Sequence, residues 1–239
     1  MIRALYSAAS GMDAQQTNVE NISHNLANAS TVGYKARSAQ FQDLLYQTIT
    51  QPGSAASTQT TVPTGLQIGL GTRVSSNGVS FAQGSLSSTG NKFDLAIQGN
   101  GFFQVRRSSG EIAYTRNGQL TLDRDGNLVT SDGDPIEPSI TIPAEAQSVS
   151  IATDGTVSYT LTGQTSTQLA GQIQLANFTN PAGLNSLGSS LYAATNASGE
   201  ATVGTPGGQE GLGTILQGYL EQSNVSIVTE FVNLIVSQR

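Results

Sequence analysis

Apolar and polar positions near the N-terminus follow a helical period. From Met1 onward, an apolar residue, or in one case a glutamine, recurs in alternating steps of four and three. This 3.5-residue repeat is typical of coiled coils. Its members are Met1, Leu5, Ala8, Met12, Gln15, Val19, Ile22, Leu26 and Ala29. Gly33 follows, and glycine favours the left-handed conformation that ends helices. The pattern predicts a helix over residues 1 to about 30 that needs a partner, because one narrow apolar face rarely stabilises a lone helix.

A second helical pattern lies at the C-terminal end. Ser226 is a suitable cap, and Glu230 would lie in the first turn. The apolar residues form two adjacent lines, which predicts contacts on more than one side of the helix. The lines are Ile227, Phe231 and Leu234, and Val228, Val232 and Ile235. No stop signal precedes Arg239, so we expect the natural helix to continue further.

Between these ends the period changes to two. In "KFDLAIQ" the apolar residues Phe93, Leu95 and Ile97 share one face, and "QLTLD" and "VSYTL" alternate likewise. Turn dipeptides punctuate the region, at Asn77-Gly78, Asn117-Gly118, Asp125-Gly126, Asp132-Gly133 and Asp154-Gly155. Antiparallel β structure is therefore predicted over residues 73–205. Thr50–Thr72 and Asn196–Thr214 are rich in Ser, Thr and Gly, and are either flexible linkers or contact segments.

These patterns predict an α+β fold. Terminal α-helices form a coiled-coil core domain, into which an antiparallel β-rich domain is inserted. The predicted parts are an N-terminal helix in 1–35, a connector with an extended loop in 36–72, a β-rich domain in 73–205, and a connector with the C-terminal helix in 206–239.

Composition supports a folded, turn-rich protein, since 37% of residues are apolar although only 11% are charged. Between Arg124 and Arg239 there are ten Asp or Glu residues and no Lys or Arg. Such a surface repels phosphate backbones, so nucleic-acid binding is not expected. No apolar run is long enough to span a bilayer, and the first residues lack the apolar core of a cleavable signal peptide.

Candidate catalytic chemistry is sparse. Cysteine is absent and His24 is the sole histidine, which disfavours thiol catalysis, a Ser-His-Asp triad and a zinc site. The carboxylates in "DRDGN" and "SDGD" lack the spacing of a calcium loop and fit hairpin turns better. "GNGFF" lacks the third glycine of a dinucleotide site and indicates close backbone packing. We therefore expect no enzyme activity, cofactor or metal.

Several motifs, in order, resemble one family across nearly the whole chain. "NISHNLANASTVGYKA" resembles the N-terminal signature of bacterial flagellar basal-body rod and hook proteins. "FDLAIQGNGFFQV", "YTRNGQLTLDRDGNLVTSDGDPI" and "ITIP" are similar to that family's β core. The C-terminal half, from "NFTNPAGLNSLGSSLYAATNASG" through "TPGGQEGLGTILQGYLEQSNV" to "EFVNLI", is most similar to the distal rod branch. "QPGSAASTQTTVPTGLQIGLGT" resembles the loop that separates this branch from proximal rod and hook proteins.

The resemblance implies a structural subunit that self-assembles into the distal rod, a hollow drive shaft that transmits torque from motor to hook. Its terminal helices would line the tube as a coiled coil, with the β domain outside. The implied partners are further copies of the chain, proximal rod proteins, the hook or hook-rod junction, and the peptidoglycan and outer-membrane ring proteins. Export would use the flagellar type III apparatus, without a cleavable signal peptide, into the periplasm. Relatives continue beyond "VSQR", so assembly by a chain ending there is an open question.

Three groups of candidate assembly residues follow. The first is an apolar seam through which the terminal helices pair, at Leu5, Met12, Val19, Ile22, Leu26, Ile227, Phe231 and Leu234. The second is a stripe of asparagines, one residue ahead of the seam, at Asn18, Asn21, Asn25 and Asn28. We hypothesise that this stripe sets axial register between subunits, the alternative being a solvated face or helix caps. The third is the rod-specific loop, with Gln51, Pro52, Gly53, Pro63, Gly65 and Leu66.

Other functions remain open at this stage. A proximal rod or hook subunit would share most of the motifs. A secreted β-rich adhesin or carbohydrate-binding module would explain the polar β composition but not the two terminal helices. A wall-cleaving enzyme would need a catalytic constellation that the sequence does not display.

Overall fold

A computed structural model describes residues 2–53, 63–163, 166–208 and 211–238. The chain divides into two compact units. Unit 1 comprises Met1–Ala27, Arg37–Val79 and Ser226–Arg239. Unit 2 comprises Asn28–Ala36 and Ser80–Val225. Each unit is therefore assembled from segments that are distant in sequence.

The described residues of unit 1 form two helices and four strands. Its elements are α1 (Ile2–Ala27), β1 (Arg37–Asp43), β2 (Tyr46–Thr50), β3 (Leu66–Gly69), β4 (Thr72–Val79) and α2 (Ile227–Gln238). Strands β1 and β4 pair antiparallel, with Arg37 opposite Val79 and a bulge between Gln40 and Phe41. Strands β2 and β3 pair as a separate antiparallel ribbon. The two ribbons follow one another along the chain as one long hairpin excursion.

Both predicted helices are present. α1 ends at Ala27, a few residues before the predicted end, and Met1 lies outside the described residues. Gly33 has a positive φ of 69°, but it lies in the turn beyond the helix. α2 begins directly after Ser226, whose carbonyl oxygen accepts the Glu230 N–H at 3.0 Å. The predicted start of α2 is thus confirmed, and the predicted continuation past Arg239 lies outside the described residues.

In its described part, unit 2 is built from short antiparallel strands and one 3-10 turn at Pro181–Gly183. The first strands are β5 (Leu86–Ser88), β6 (Leu95–Gln98), β7 (Phe102–Arg106), β8 (Ile112–Thr115), β9 (Leu120–Leu122), β10 (Leu128–Thr130), β11 (Ile136–Glu137) and β12 (Ala146–Ile151). The later strands are β13 (Thr156–Leu161), β14 (Thr167–Gln172), β15 (Leu175–Asn177), β16 (Asn185–Gly188), β17 (Leu191–Ala193), β18 (Thr202–Gly204), β19 (Thr214–Gln217) and β20 (Tyr219–Glu221).

The largest sheet of unit 2 has the order β16-β17-β8-β7-β15-β18, with β11 also paired to β7. A meander of β12, β13 and β14 forms a second sheet. Three smaller pairs complete the unit, β9 with β10, β6 with β19, and β5 with β20. The last two pairs join strands that are far apart in sequence, so late segments of the chain close the unit over its early ones.

Adjacent phenylalanines on β7 show where the core of unit 2 lies. Successive side chains of a strand point to opposite faces of its sheet. Phe103 belongs to the larger hydrophobic cluster, with Leu95, Ile97 and Leu175 among its members. Phe102 belongs to a smaller aromatic cluster on the other face. The central sheet therefore separates two buried clusters, and the predicted apolar face of "KFDLAIQ" is confirmed.

Strands also occur outside residues 73–205. β1 to β3 precede this range and β19 and β20 follow it. The segment Thr50–Thr72 therefore includes β3, and Asn196–Thr214 includes β18, although both segments had been expected to be irregular. Long-range pairing supplies the hydrogen bonds that local composition does not reveal.

Three of the five predicted turns are confirmed. Gly126, Gly133 and Gly155 have φ of 81°, 88° and 81° in tight turns. The prediction for Asn77-Gly78 is wrong, because both residues lie inside β4, where the Asn77 side chain bonds to Asn21. The prediction for Asn117-Gly118 is also wrong, since it joins β8 to β9, which pair with other strands.

Candidate functional site

The inward face of α1 is small and polar rather than apolar. Ala14, Asn21, Ile22 and Asn25 are its buried residues. The half-buried residues Ser7, Ser10 and Asn18 lie in one line with these residues along the helix. The line covers one side of α1 at helical spacing, against β1, β4 and α2. The asparagine stripe is thus part of the intramolecular interface of unit 1.

Small residues allow the hairpin to approach α1 closely. The Ser10 hydroxyl donates to the Ser7 carbonyl at 3.0 Å and accepts the Thr72 N–H at 3.4 Å. Gly71, with φ of 114°, stands directly over Ser10, and a Cβ at this position would collide with the serine hydroxyl. A large apolar residue in place of Ser10 would therefore force the hairpin away.

Asn25 attaches α1 to the first residue of β1. Its Nδ2 donates to the Arg37 carbonyl at 2.8 Å, and its Oδ1 accepts the Arg37 N–H at 2.9 Å. A carboxamide has a donor and an acceptor arranged like those of a peptide group, so it can take the place of a neighbouring strand. The side chain is 2% exposed, so both bonds are made away from water.

The other asparagines of the stripe have different surroundings. Asn21 Oδ1 accepts from Asn77 Nδ2 on β4 at 2.8 Å, while Asn21 Nδ2 is buried and has no partner in the described part of the chain. Asn18 Nδ2 donates to Ser237 Oγ on α2 at 3.0 Å. Asn28 belongs to unit 2, where it accepts from the Thr31 hydroxyl at 3.2 Å within a turn. The stripe therefore bonds to β1, β4 and α2 within one chain.

α2 meets α1 through a polar line. Its least exposed residues are Glu230, Leu234 and Ser237, which follow helical spacing, and none of its described side chains is fully buried. Partial burial raises the pKa of Glu230, and a hydrogen bond from Asn25 opposes that rise. The structure does not show the predicted coiled-coil packing of an apolar seam between α1 and α2.

A groove of about 240 Å³ lies between α1, β1 and α2. Seven of its ten lining residues are polar. The lining residues are Asn18, Asn21, Ile22, Arg37, Ser38, Ala39, Glu230, Asn233, Val236 and Ser237. Groups that both donate and accept hydrogen bonds therefore face this space.

The predicted apolar seam splits into an inner and an outer part. Ile22 is buried, and Val19, Leu26 and Leu234 are half-buried. Four members are exposed, Leu5 at 70%, Met12 at 68%, Ile227 at 47% and Phe231 at 49%. In the single chain Leu5 and Met12 are exposed, because α1 turns its small polar line toward its neighbours, so their pairing with a C-terminal helix stays a prediction.

Further apolar side chains are exposed on α2 and the β2–β3 ribbon. On α2 they are Val228, Val232, Ile235 and Val236, and around the ribbon they are Leu45, Tyr46, Ile49, Leu66 and Ile68. Of the rod-specific loop, Gln51, Pro52, Gly53 and Pro63 are exposed, and residues 54–62 lie outside the described residues. Gly65 has no room for a side chain, since a Cβ would lie 2.5 Å from the Thr50 carbonyl oxygen.

Unit 2 contains a buried ion cluster that the sequence analysis missed. Lys35 Nζ lies 2.6 Å from Glu221 Oε1, and Arg116 Nη1 lies 3.3 Å from Glu221 Oε2. The lysine and glutamate side chains are fully buried, and the arginine is 3% exposed. Burial lowers the pKa of Lys35 and of Arg116, while the Glu221 carboxylate opposes both shifts. The three residues stand in separate motifs, so local sequence gave no sign of their contact.

Residues considered for chemistry have ordinary structural positions. His24 lies on the exposed side of α1. Gly99 and Gly101 have positive φ and approach Gly213 and Leu175 closely, which confirms close backbone packing at "GNGFF". Within the described ranges, no three His, Cys, Asp or Glu side chains cluster as metal ligands would, and neither helix is long and apolar enough to cross a membrane.

Comparisons with known proteins give consistent matches along the chain. Residues 5–35 match the flagella basal body rod protein family, 96–159 the D1 domain of flagellar hook protein FlgE/F/G, and 216–239 the C-terminal region of flagellar basal body rod FlgEFG proteins.

Two similar relatives are flagellar basal-body rod proteins FlgG. The protein of Buchnera aphidicola subsp. Acyrthosiphon pisum is 49% identical over the whole chain, which covers 92% of that relative. The protein of Bacillus subtilis is 41% identical, again over the whole chain and 91% of the relative. The flagellar hook protein FlgE of Helicobacter mustelae is 39% identical over 56% of the chain and 30% of the hook protein. These relatives give no support to an adhesin or carbohydrate-binding module.

Proposed function

The chain belongs to the family of flagellar basal-body rod proteins, and we propose that unit 1 is the surface through which its copies polymerise into the distal rod. The protein is a structural subunit of the basal body and not an enzyme. The observation that carries the proposal is the orientation of the two helices. They direct polar residues toward each other and leave apolar residues exposed.

The many exposed apolar side chains of unit 1 indicate that this unit binds a partner. Contiguous apolar patches on soluble proteins mark interaction sites, and full burial of one large apolar side chain is worth about 1.5–3 kcal/mol. Unit 1 contains four arginines and four carboxylates, so its charges balance and copies of it do not repel strongly. These features favour a second copy of the chain as the partner.

The exposed seam residues pack between copies as a coiled coil. Leu5 and Met12 on α1 contact the apolar lines of α2 on a neighbouring copy, with Ile227 and Phe231 in those lines. Val19, Ile22 and Leu26 continue the seam where it is already partly covered. The physical reason is the 3.5-residue spacing, which keeps an apolar row in line with a supercoiled neighbour over several turns.

The asparagine stripe sets register both within one chain and between neighbouring copies. Asn25, with its two bonds to Arg37, fixes α1 against β1 within one chain. Asn21 Nδ2 has no partner among the described residues, and Asn18 and Asn21 line the groove between α1, β1 and α2. An acceptor from a neighbouring copy at this groove selects one axial position, because an unpaired buried amide is costly.

The β2–β3 ribbon and its rod-specific loop dock on neighbouring copies and limit bending. The exposed apolar residues Tyr46, Ile49 and Leu66 support this role, since a two-stranded ribbon alone is only marginally stable in water. Deleting residues 52–64 should give a more flexible, curved, hook-like assembly. Unchanged curvature and stiffness in micrographs would contradict the role of the ribbon.

The finer setting of the protein is proposed from the family. The rod runs through the periplasm to the outer membrane and carries torque from the motor to the hook. Its neighbours are proximal rod proteins, the hook or hook-rod junction, and the peptidoglycan and outer-membrane ring proteins. Subunits reach it through the flagellar type III export apparatus.

Electron microscopy of the concentrated protein tests polymerisation directly. We expect straight hollow rods from the wild-type chain and few or none from Met12→Ser, whose side chain is exposed in the monomer. Gln16→Ser, one turn further along α1 and also exposed, is the matched control and should polymerise normally. Rods formed equally by both variants would contradict the proposed surface.

The same micrographs test the second candidate function. A hook or proximal rod subunit would share the similarity to FlgE, which extends over 56% of the chain. A hook subunit would give curved, flexible tubes rather than straight ones. Full-length similarity to FlgG favours the distal rod.

A further inference from the structure

A cavity of about 250 Å³ lies within unit 2 and borders the aromatic cluster of that unit. Every residue that lines it belongs to unit 2. The lining residues are Phe81, Asn100, Gly101, Phe102, Arg116, Asn177, Phe178, Thr179 and Pro181. An apolar cavity of about 150 Å³ can hold benzene. The larger volume here therefore suits a molecule with one ring and a short polar group.

Three phenylalanine rings and a proline form the apolar part of the cavity wall. The Phe81 and Phe102 rings have centroids 5.3 Å apart, and the Phe102 and Phe178 rings 5.8 Å apart, both edge to face. Phe102 and Phe178 are buried, and Pro181 begins the 3-10 turn. Because these contacts hold the rings in place, the apolar surface is preformed, which reduces the entropy lost when a ligand binds.

Arg116 adds a buried positive charge to the same wall. Its side chain is 3% exposed, and its guanidinium lies 5.3 Å from the centre of the Phe102 ring. Nη1 lies 3.3 Å from Glu221 Oε2, and Nη2 donates to the Gly99 carbonyl at 2.9 Å. Nε is buried and has no partner in the described part of the chain. An unpaired buried donor is costly, and more so on a charged group, which favours an acceptor at this cavity.

The ion cluster that contains Arg116 has one more positive than negative charge. Glu221 pairs with Arg116 and also with Lys35, whose Nζ lies 2.6 Å from the carboxylate. Among the described residues, neither cation pairs with a second carboxylate. A buried charge without a counter-charge is unfavourable. The cavity beside Arg116 therefore favours an anionic group over a neutral one.

Polar residues mark the opening of the cavity. Among the lining residues, Asn100 and Thr179 are exposed and Asn177 is half-buried. Asn177 Oδ1 accepts the Phe178 N–H at 2.9 Å, which fixes the side-chain amide beside the aromatic wall. Amide and hydroxyl groups donate to carboxylate oxygens as readily as to water. The opening can therefore solvate or bind the polar end of a ligand.

We propose that this cavity is a binding site for a small organic acid. The carboxylate bonds to the guanidinium of Arg116 and supplies the missing counter-charge, in a charge-assisted hydrogen bond. An apolar body of about the size of one ring lies against Phe81, Phe102 and Phe178. The site belongs to unit 2 alone and does not depend on the function proposed for unit 1.

Nuclear magnetic resonance of the monomer tests the site with phenylacetate as the probe. We expect this acid to shift the resonances of the Arg116 Nε–H and the Gly101 amide. It should bind about tenfold more tightly than phenylacetamide, its neutral isostere, because only the acid carries a counter-charge. Absence of any shift with phenylacetate would overturn the site, and equal affinity for the acid and the amide would overturn the role of Arg116.

Propionate tests the apolar part of the proposal. It keeps the carboxylate and lacks the ring, so it resembles the end of a glutamate side chain. We expect it to bind about tenfold more weakly than phenylacetate, because it leaves most of the phenylalanine surface uncovered. Equal affinity for the two acids would contradict a ring-sized ligand and would indicate that an acidic side chain of another protein molecule fits the cavity instead.

Asn177→Asp tests the position of the site. The new carboxylate lies at the cavity, and its retained oxygen still accepts the Phe178 N–H. Phenylacetate should bind about tenfold more weakly because the two carboxylates repel, while phenylacetamide should be little affected. The matched control is Asn196→Asp, which adds the same charge at an exposed position of unit 2 outside the lining. Equal weakening in both variants would contradict the site, since it would report only the net charge of the protein.

Discussion

Unit 2 is held together by a hydrophobic core, whereas unit 1 has almost none. Among the described residues, the buried side chains of unit 1 are Ala14, Ile22 and the two asparagines Asn21 and Asn25. Unit 2 contains both hydrophobic clusters and the buried ion cluster. Unit 2 thus has a hydrophobic core of its own, while unit 1 leaves large apolar residues exposed, as the proposed packing between copies requires.

Charge follows the same division. The four arginines and four carboxylates of unit 1 balance, so the net charge of −6 lies in unit 2. A neutral surface suits close packing between identical copies, because like charges would meet across such contacts. An acidic surface on unit 2 keeps that unit soluble and discourages its self-association.

Two phenylalanines give the largest contrast between the units. Phe103→Ala opens a cavity in the buried cluster of unit 2 and should lower its free energy of unfolding by about 3–5 kcal/mol. Phe231→Ala, on the exposed face of α2, should change monomer stability by less than about 0.5 kcal/mol. Urea unfolding of the monomer measures the first effect, and sedimentation of concentrated protein measures the loss of polymers expected from Phe231→Ala. Comparable destabilisation by both changes would erase the contrast.

The ion cluster gives the next largest effect. Glu221→Gln leaves Lys35 and Arg116 buried without a counter-charge, and should cost about 3–5 kcal/mol of unit 2 stability. Glu137→Gln is the matched control, because its carboxylate pairs with Arg106 at the surface, where an ion pair is worth about 0.2–1 kcal/mol. Urea midpoints of the two variants should differ accordingly. A Glu221→Gln midpoint equal to that of the control would mean that the cluster contributes little.

Asn25→Ala should have a moderate effect confined to unit 1. It leaves the Arg37 N–H and carbonyl without their partner, at a cost of about 1–3 kcal/mol. Faster hydrogen exchange in β1 should report it, while the amides of unit 2 stay protected. Gln16→Ala, at an exposed position of α1 outside the groove, is the control. Rods of normal register from Asn25→Ala would count against a role of this residue in assembly.

The smallest expected effect is a pH dependence of unit 1. Burial raises the pKa of Glu230 above its ordinary value of 4.5. The protonated form is therefore favoured by folding, so this contribution is fully present below pH 4.5 and is lost as pH rises through the raised pKa. Glu230→Gln should remove the pH dependence of the protection of α2 amides from hydrogen exchange over this window. Asp13→Asn, at an exposed position of α1, should leave that dependence unchanged. An unchanged pH profile in Glu230→Gln would exclude this contribution.

Much of the local structure of the molecule was predictable. The 3.5-residue repeat located α1, Ser226 marked the start of α2, and alternation placed Leu95 and Ile97 in the core. The strands of residues 37–69 were not predicted, because β1 and β2 acquire their hydrogen bonds from partners further along the chain. Likewise Asn77-Gly78, a strong turn signal, is extended because Gly78 and Asn77 pair with β1.

The sequence singled out the asparagine stripe but not the direction in which its side chains point. Asn18, Asn21 and Asn25 were singled out because a stripe of poor helix formers is unusual in a helix. Their partners on β1, β4 and α2 could not be named, because those elements are brought together only by folding. Lys35, Arg116 and Glu221 were missed for the same reason, since each one alone resembles a solvated surface charge.

The sequence by itself determined which segments are helical, where the alternating strands around Leu95 and Ile97 lie, and which protein family the chain belongs to. Period and turn chemistry are properties of neighbouring residues, so they can be read along the chain. Only the tertiary structure decided that α1 turns its asparagines inward and its leucine and methionine outward, and that Glu221 neutralises cations from two distant segments. Burial depends on what packs against a residue, and a linear pattern does not contain that partner.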